Sequence, residues 1–554
     1  MIRYSHRFVR SIHSFPLLPT LCLVCALSTG ISNDVWAKAE KFRLVWSQDP
    51  SRQATIAWHQ ASGSDPVLLL DINDFGDNPD QYGQRIRPEE IREAKGMQSH
   101  FIRLKGLRPN MTYYFLIKDS EGTSRRLFFT TAPDNPSQRL SIIAGGDSRN
   151  HRTARQHANL LVAKLKPHCV LFGGDFTGGS SPLEWQEWLD DWQLTIAEDG
   201  RMTPVVVTRG NHEEDNRVLT DLFGLEFDDA YYALTLGGNL LRVYTLNTMM
   251  SSGGEQRDWL EQDLATIGTQ VVWRAAQYHH PMRPHTARKP ERNDLVSDWG
   301  PLFYRYGVDL AVECDAHVAK STYPIRVCGG QEACDEGFLR DDETGTVFIG
   351  EGCWGAPLRQ HNDDKSWTRA SGSFNHFNWI FADESKIEVR VVQVDNAPEV
   401  GEVNPSNVFK APVGLTVWNP PTGDVIVIRR RNGRQVVEPL EMLAARSDKS
   451  PSTGDSAIPP EDHQETEDWD NCPLVLPDAQ SGQLAIKYAL QEIGSVTIRL
   501  VNPSREEVLR MEMSDQAPGE HLKTFEVNHL KPGRYLAIVK NQQKVLRRYR
   551  VIKR

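Results

Sequence analysis

Across residues 140–394 short apolar runs alternate with longer amphipathic ones, and this alternation constrains the fold more than any other feature of the chain. "LSIIAGG", "HCVLFGG", "PVVVTRG", "LLRVYTLN", "VVWRAAQYHH" and "VDLAVE" are short, uniformly apolar and rich in β-branched residues, which reads as buried strands. Between them "TARQHANLLVAKLK", "PLEWQEWLDDWQLTIA", "EQRDWLEQDLATI" and "LVSDWGPLFYRYG" carry the signature of helices. Trp185, Trp188 and Trp192 share one helical face and are expected to pack inward. Strands alternating with helices bury a sheet beneath a helical layer, so residues 138–395 are expected to form a central α/β core.

The flanks differ. Residues 40–133 hold short β-rich runs such as "FRLVWS", "ATIAWHQ" and "TYYFLIKD" separated by turn residues, the pattern of a small β-sandwich. "LRPNMTYYFLI" looks like the turn and strand of a fibronectin-type domain, with Tyr113 or Tyr114 as its corner tyrosine. Residues 396–443 read as a β-rich extension. Residues 444–471 are polar, acidic and without apolar periodicity, which reads as a flexible linker. Residues 472–554 return to strand-like runs and are expected to form a C-terminal β-sandwich, similar to the accessory domains that end many exported bacterial enzymes. That likeness would associate the chain with a cell surface or envelope.

Residues 1–37 have a basic start (Arg3, Arg7, Arg10), an apolar run broken by Pro16 and Pro19, and small residues at "VWAKA". They read as a secretory signal peptide rather than a membrane span, so the mature chain is expected to be secreted, periplasmic or surface-held, with no transmembrane segment. Of the eight cysteines, two (Cys22, Cys25) lie in that signal. In an exported chain the other six favour disulfides, and Cys328 with Cys334, flanking "CGGQEAC", form the best pair. A net charge of −10 argues against nucleic acid as partner.

Five polar clusters follow predicted strands of the core. They are "GGDSRN" with Asp147, "GGDFTGG" with Asp175, "RGNHEE" with Asn211 and His212, "QYHHPMRPH" with His279, His280 and His285, and "VECDAHVAKSTYP" with Asp315 and His317. Ligands gather beyond the carboxyl ends of strands in open α/β sheets. Carboxylates, an amide oxygen and imidazoles converging there suit metal ions of borderline hardness. A pair of ions about 3.5–4 Å apart can clamp a phosphate and activate water.

In order and wording, "GDSR", "GGDFTG", "GNHE", "YHHP" and "CDAH" resemble the blocks of the calcineurin-like metallophosphoesterases, in particular the purple acid phosphatase branch with its N-terminal fibronectin-type domain. The resemblance covers residues 42–394. It implies a core built as a β-sandwich flanked by helices, and a dinuclear site of iron, manganese or zinc. Asp147, Asp175 and His317 would hold the first ion, with Asp175 bridging; Asn211, His279 and Asp315 would complete the second. His212 would sit beside the bound phosphate as a charged or proton-donating group.

Three positions depart from the family. The tyrosine that colours purple enzymes falls at Gly178, so no charge-transfer colour is expected. A family histidine falls at Arg149, which either binds substrate phosphate or is a surface arginine paired locally. The first histidine of the last block is Asp315, which either remains a ligand and favours a harder ion or leaves the second site weakened or empty. His285 either donates a proton to the leaving group or is an exposed loop residue. "GEGCWGAPLRQ" (350–360) either lines the pocket or is a packed turn. The resemblance implies an exported hydrolase of small phosphate monoesters, acid-phosphatase-like, using a metal-bound hydroxide. A phosphodiesterase and an inactive surface-binding protein are the alternatives.

Overall fold

The computed structural model of the chain describes residues 37–329, 334–430, 474–475, 483–490, 494–502, 507–531, 533–541 and 544–553. The expected signal segment up to residue 36, the acidic linker and Cys472 lie outside these residues.

The core is two sheets packed face to face with helices outside. One sheet contains Leu140–Gly145, Cys169–Phe172 and Val205–Val207 in parallel, with His376–Ala382 and Lys386–Gln393 running antiparallel at its edge. The other is ordered Tyr232–Leu236, Leu241–Thr245, Trp273–Gln277, Leu310–Glu313, Val347–Gly350, Ala319–Thr322 and Thr368–Gly372. Their facing residues, among them Ile142, Val206, Val243, Val312 and Ile349, share one apolar core. A second apolar layer, with Tyr244, Leu260, Trp299, Phe303 and Phe348, lies under the helices Glu255–Ala265 and Gly300–Tyr306.

Local sequence explains the helix that carries the three tryptophans. Pro182 opens Pro182–Trp192, and Ser181 and Glu184 cap it reciprocally. Such a cap is worth about 1 kcal/mol. Trp185, Trp188 and Trp192 are all buried, and the rings of the last two stack at 5.0 Å.

The N-terminal β-sandwich is present and is joined to the core. One of its sheets holds Ala39–Val45, Ala54–Gln60, Met97–Leu104 and Glu90–Ala94, and Val45 pairs in parallel with Val205. That sheet and the first core sheet are therefore one continuous ladder of ten strands. The corner tyrosine is Tyr113, whose hydroxyl accepts the amide of Arg108 at 2.8 Å.

Beyond the core, residues 396–430 contain a single strand, Ile426–Arg429, against Lys386–Gln393. This corrects the β-rich reading of 396–443 within the described part. The segment is rich in Pro, Gly and Asn, residues that break ladders. The C-terminal β-sandwich pairs Gln483–Leu490 with Gly519–Glu526 over a second sheet built on Gly494–Val501 and Gly533–Asn541, with Leu484, Ile486, Val496, Ile498 and Phe525 between them. Among the described residues no helix is long and apolar enough to cross a membrane.

Cys328 and Cys334 form the expected disulfide. Cys169, Cys314 and Cys353 are free thiols, which corrects the wider disulfide expectation for them: each is buried in the core around the strand ends, and burial pushes each thiol up.

Candidate metal centre

Each polar cluster leaves the end of a core strand, and the loops converge on one point. Asp147 follows Leu140–Gly145, Asp175 follows Cys169–Phe172, His279 follows Trp273–Gln277, and Asp315 follows Leu310–Glu313. Candidate ligand atoms of these four buried residues all lie within 4.8 Å of one another. Asp147, Asp175, Asp315 and His317 hold left-handed backbone, with φ between 54° and 66°. For residues other than glycine such backbone costs about 1–3 kcal/mol each and collects at functional sites.

The histidines are oriented by the main chain. Nδ1–H of His279 donates to the Gly173 carbonyl at 2.8 Å, and its Nε2 stands 3.2 Å from Asp175 Oδ1 and 2.9 Å from Asn211 Oδ1. Nδ1–H of His317 donates to the Pro357 carbonyl at 2.8 Å, leaving Nε2 3.1 Å from Asp147 Oδ1. Nδ1–H of His212 donates to the Gly178 carbonyl at 2.5 Å, leaving Nε2 3.8 Å from Asp175 Oδ2. A carbonyl at Nδ1 holds the proton there and frees the Nε2 lone pair as a ligand; Nε2 is a donor to substrate only in the charged ring. His280 is turned the other way. Its Nδ1 accepts from Arg292 at 2.7 Å, so its remaining proton sits on Nε2, 4.0 Å from Asp315 Oδ2. The neighbouring His279 is therefore the better ligand.

The cluster fits a cation. Oδ2 of Asp175 is buried without a hydrogen-bond partner. Burial alone would push the His279 imidazole down, but Asp175, Asp147 and Asp315 around it push it up to about 10. Burial would likewise raise Asp175, yet His279 and His212 hold it well below the usual carboxylate range. Asp315 is held low by His279 and by Lys289, whose ammonium pairs with Oδ1, against the opposing effect of its own burial. Three buried carboxylates draw positive charge from every neighbour able to carry it, which is the demand a metal pair meets. Asp147, Asp175, Asn211, His279, Asp315 and His317 are the residues that would hold it.

Several contributors to the site were not assigned a role from sequence. Glu213, quoted in "RGNHEE", lies beneath the cluster: its carboxylate accepts from the amides of Asp175, Phe176 and Gly210 at 3.0, 2.9 and 2.6 Å. Burial and the charge of Asp175 push it up to about 7. Behind the loops, Lys320 Nζ lies between Glu313 Oε2 at 2.6 Å and Glu351 Oε1 at 2.8 Å. Glu313 also accepts from the Tyr278 hydroxyl and the Met282 amide, so this buried network ties the His279 loop to the Asp315 loop. The acidic "VE" before Cys314 was the available signal.

Other expectations change. His285 is fully buried, with its Nε2 at 2.7 Å from Thr368 Oγ1 and its amide on Glu351 Oε2 at 3.0 Å. It is neither an exposed loop histidine nor open to a leaving group; it braces the loop behind the site. Trp354 is a packed residue, its indole N–H on Asn159 Oδ1 at 2.9 Å, while Gly352 beside it abuts Asp147. The slot at Gly178 is filled by Asn150: a Cβ there would stand 2.0 Å from Asn150 Oδ1. Arg149 borders the cluster and makes no ion pair among the described residues, its Nε buried without a partner.

Comparison with known proteins finds relatives of the core and of the N-terminal domain. Residues 145–319 match the model of the calcineurin-like phosphoesterase family, and residues 39–131 match that of the purple acid phosphatase N-terminal domain. Purple acid phosphatase 15 of Arabidopsis thaliana is 24% identical over 276 residues, 42% of this chain and 51% of that protein. An uncharacterized protein of Mycobacterium tuberculosis is 24% identical over 339 residues, 51% of this chain and 62% of its own length. The matches thus span between about half and three fifths of those relatives. Among solved structures, purple acid phosphatase PPD1 from yellow lupin seeds superposes with a TM-score of 0.53 at 16% identity, covering 76% of this chain and 78% of that one. PhoD gives 0.50 at 11% identity, covering 70% and 90%. Both share the fold.

Proposed function

We propose that this chain, which carries a calcineurin-like phosphoesterase domain behind a purple acid phosphatase N-terminal domain, is a metal-dependent enzyme that hydrolyses small phosphate monoesters in the manner of an acid phosphatase. One observation carries the reading: His279, His317 and His212 each donate Nδ1–H to a main-chain carbonyl and turn Nε2 toward three buried carboxylates. Such a set has no role in packing, where buried charge is costly.

The two ions, of iron, manganese or zinc, would supply Lewis acidity toward a phosphate oxygen when bound. The chain's own groups do the rest. The main-chain carbonyls fix the imidazoles, so no reorganisation is needed as charge develops. His212 is the partly exposed member, with a quarter of its side chain open to solvent (24%), so in its charged form its Nε2 is the group placed to donate a proton to a phosphate oxygen. Arg149 offers a planar fork for the phosphate beside it. The basic start and apolar run of residues 1–37 support export.

The test compares p-nitrophenyl phosphate with bis(p-nitrophenyl) phosphate, before and after chelation and with each metal added back. Monoester turnover that disappears on chelation and returns with metal is expected. Faster diester turnover would reverse the substrate class, and no metal-dependent turnover of either would sink the enzymatic reading.

A further inference from the structure

Behind the loop 147–149, two helices meet through buried polar groups that the metal cluster does not use. Helix Arg152–Leu165 supplies Arg155 and helix Pro182–Trp192 supplies Asp191. Their side chains are 4% and 3% exposed. Nε and Nη2 of Arg155 donate to Asp191 Oδ2 at 2.9 and 2.5 Å. The remaining nitrogen, Nη1, donates to the main-chain carbonyl of Arg149. Asp191 Oδ1 is met separately by Arg152 Nε at 3.0 Å and by Gln156 Nε2 at 2.8 Å. Balancing the charge of Asp191 therefore does not require Arg155 alone, and the fork has a second task at Arg149.

That task follows from the backbone. Asp147 holds φ of +58° and Arg149 holds φ of +29°. Left-handed backbone of this kind persists only where its surroundings over-determine it. At Asp147 the carbonyl accepts the amides of Gly355 and Ala356 at 3.0 and 2.7 Å. At Ser148 the hydroxyl accepts the Trp188 indole N–H and donates to the Phe176 carbonyl, both at 2.8 Å. At Arg149 the restraints are a long contact of its amide with the Asp175 carbonyl, at 3.4 Å, and the Arg155 fork on its own carbonyl. The side chain has no such hold, since Nε of Arg149 is buried without a hydrogen-bond partner. Its direction is set by its backbone, and its backbone by Arg155.

We propose that Arg155, anchored on Asp191, is a positioning residue for Arg149: it fixes the Arg149 carbonyl and thereby aims the guanidinium at the phosphate beside His212. The inference rests on the phosphate-binding reading of Arg149 given above and goes beyond it by naming what orients that side chain. A planar fork pairs with phosphate oxygens in one orientation, so a rotated backbone loses the pairing while the charge stays nearby. Lysine cannot take the place of Arg155. One ammonium on a flexible stem pairs with Asp191 but lacks the rigid fork that serves Asp191 and the Arg149 carbonyl together.

The test is a double-mutant cycle on the metal-loaded full chain, read by calorimetric binding of inorganic phosphate and by kcat/KM for p-nitrophenyl phosphate. Arg149→Gln and Arg155→Lys are each expected to weaken phosphate binding about ten-fold and to lower kcat/KM by at least as much, with metal content unchanged. In the Arg149→Gln background, Arg155→Lys should add less than about two-fold, because the group it acts through is gone. An undiminished loss in that background would show that Arg155 acts on the fold or the metal cluster instead, and would overturn the proposal. Unchanged phosphate affinity in Arg155→Lys alone would overturn it too. The titration gives Kd and the number of binding sites separately, so a variant that folds poorly is still scored by its Kd. If Arg149→Gln binds phosphate as the parent does, Arg149 is no phosphate ligand and the positioning role falls with it, while metal-dependent turnover stands. Should the parent hydrolyse no ester, the phosphoesterase reading fails by itself, and the same cycle of phosphate affinities decides this one: non-additive losses support it and additive losses refute it.

Discussion

A Cβ on Gly352 would stand 1.8 Å from Oδ2 of Asp147. Gly352 also holds φ of +76°, which side-chain-bearing residues rarely adopt. The same Oδ2 accepts the Asp315 amide at 2.9 Å, so it cannot swing away without breaking that bond. Gly352→Ala is therefore expected to displace the Asp147 carboxylate and leave the protein folded but poor in metal. Metal content per chain, measured beside the circular dichroism of the same sample, checks this; an alanine variant with full metal content would refute the close approach.

Asp315 stands where the resemblance leads one to expect a histidine, and its geometry supports a ligand role. Its Oδ1 lies 3.7 Å from His279 Nε2 and pairs with the Lys289 ammonium. Asp315→Ala is expected to lose about one metal ion per chain and about 100-fold or more in kcat/KM. Retention of full metal content and activity would remove Asp315 from the ligand set. Asp315→His should retain metal but shift its preference toward softer ions, read by competition between manganese and zinc.

The convergence of strand ends was legible because each apolar run terminates in a short polar cluster at the same relative place. The corner at Tyr113 was legible as well, since its turn and strand lie within a few residues of each other. What was not legible depends on contacts far apart in sequence. The pairing of Val45 with Val205 makes one sheet of two domains, and no local pattern encodes it. His285 has the spacing of a loop residue, yet it is buried, with Thr368, Glu351 and Trp367 from distant parts of the chain against it. Lys320 reads as a polar residue in a strand until Glu313 and Glu351 are brought to either side of it.

That buried lysine gives a stability test. Lys320, Glu313 and Glu351 have side chains no more than 1% exposed. Removing the cation strands two carboxylates in the interior, and breaking a buried ion pair costs about 3–5 kcal/mol. Lys320→Met is expected to lose stability on that scale in urea unfolding. Lys386→Met, which removes a more exposed partner of Glu388 at 2.6 Å, should change it by less than about 1 kcal/mol. Similar effects from the two variants would mean that the interior network contributes no more than a surface pair.

His376 gives a prediction with pH. The ring is 2% exposed, its Nδ1 lies 3.2 Å from the Phe374 carbonyl, and burial pushes the imidazole down to about 4. In the unfolded chain an imidazole titrates near ~6.5. Between those values the unfolded state binds the proton and the folded state does not, so acid favours unfolding. The stability that the neutral ring allows is present above about pH 6.5 and is lost as pH falls toward about 4. From pH 7 to pH 5 this one group is expected to cost about 2 kcal/mol. Measured in urea at the two pH values, His376→Gln should lose that much less than the parent over the same interval. Parallel pH profiles for parent and variant would show that His376 takes up its proton equally in the folded and unfolded chains.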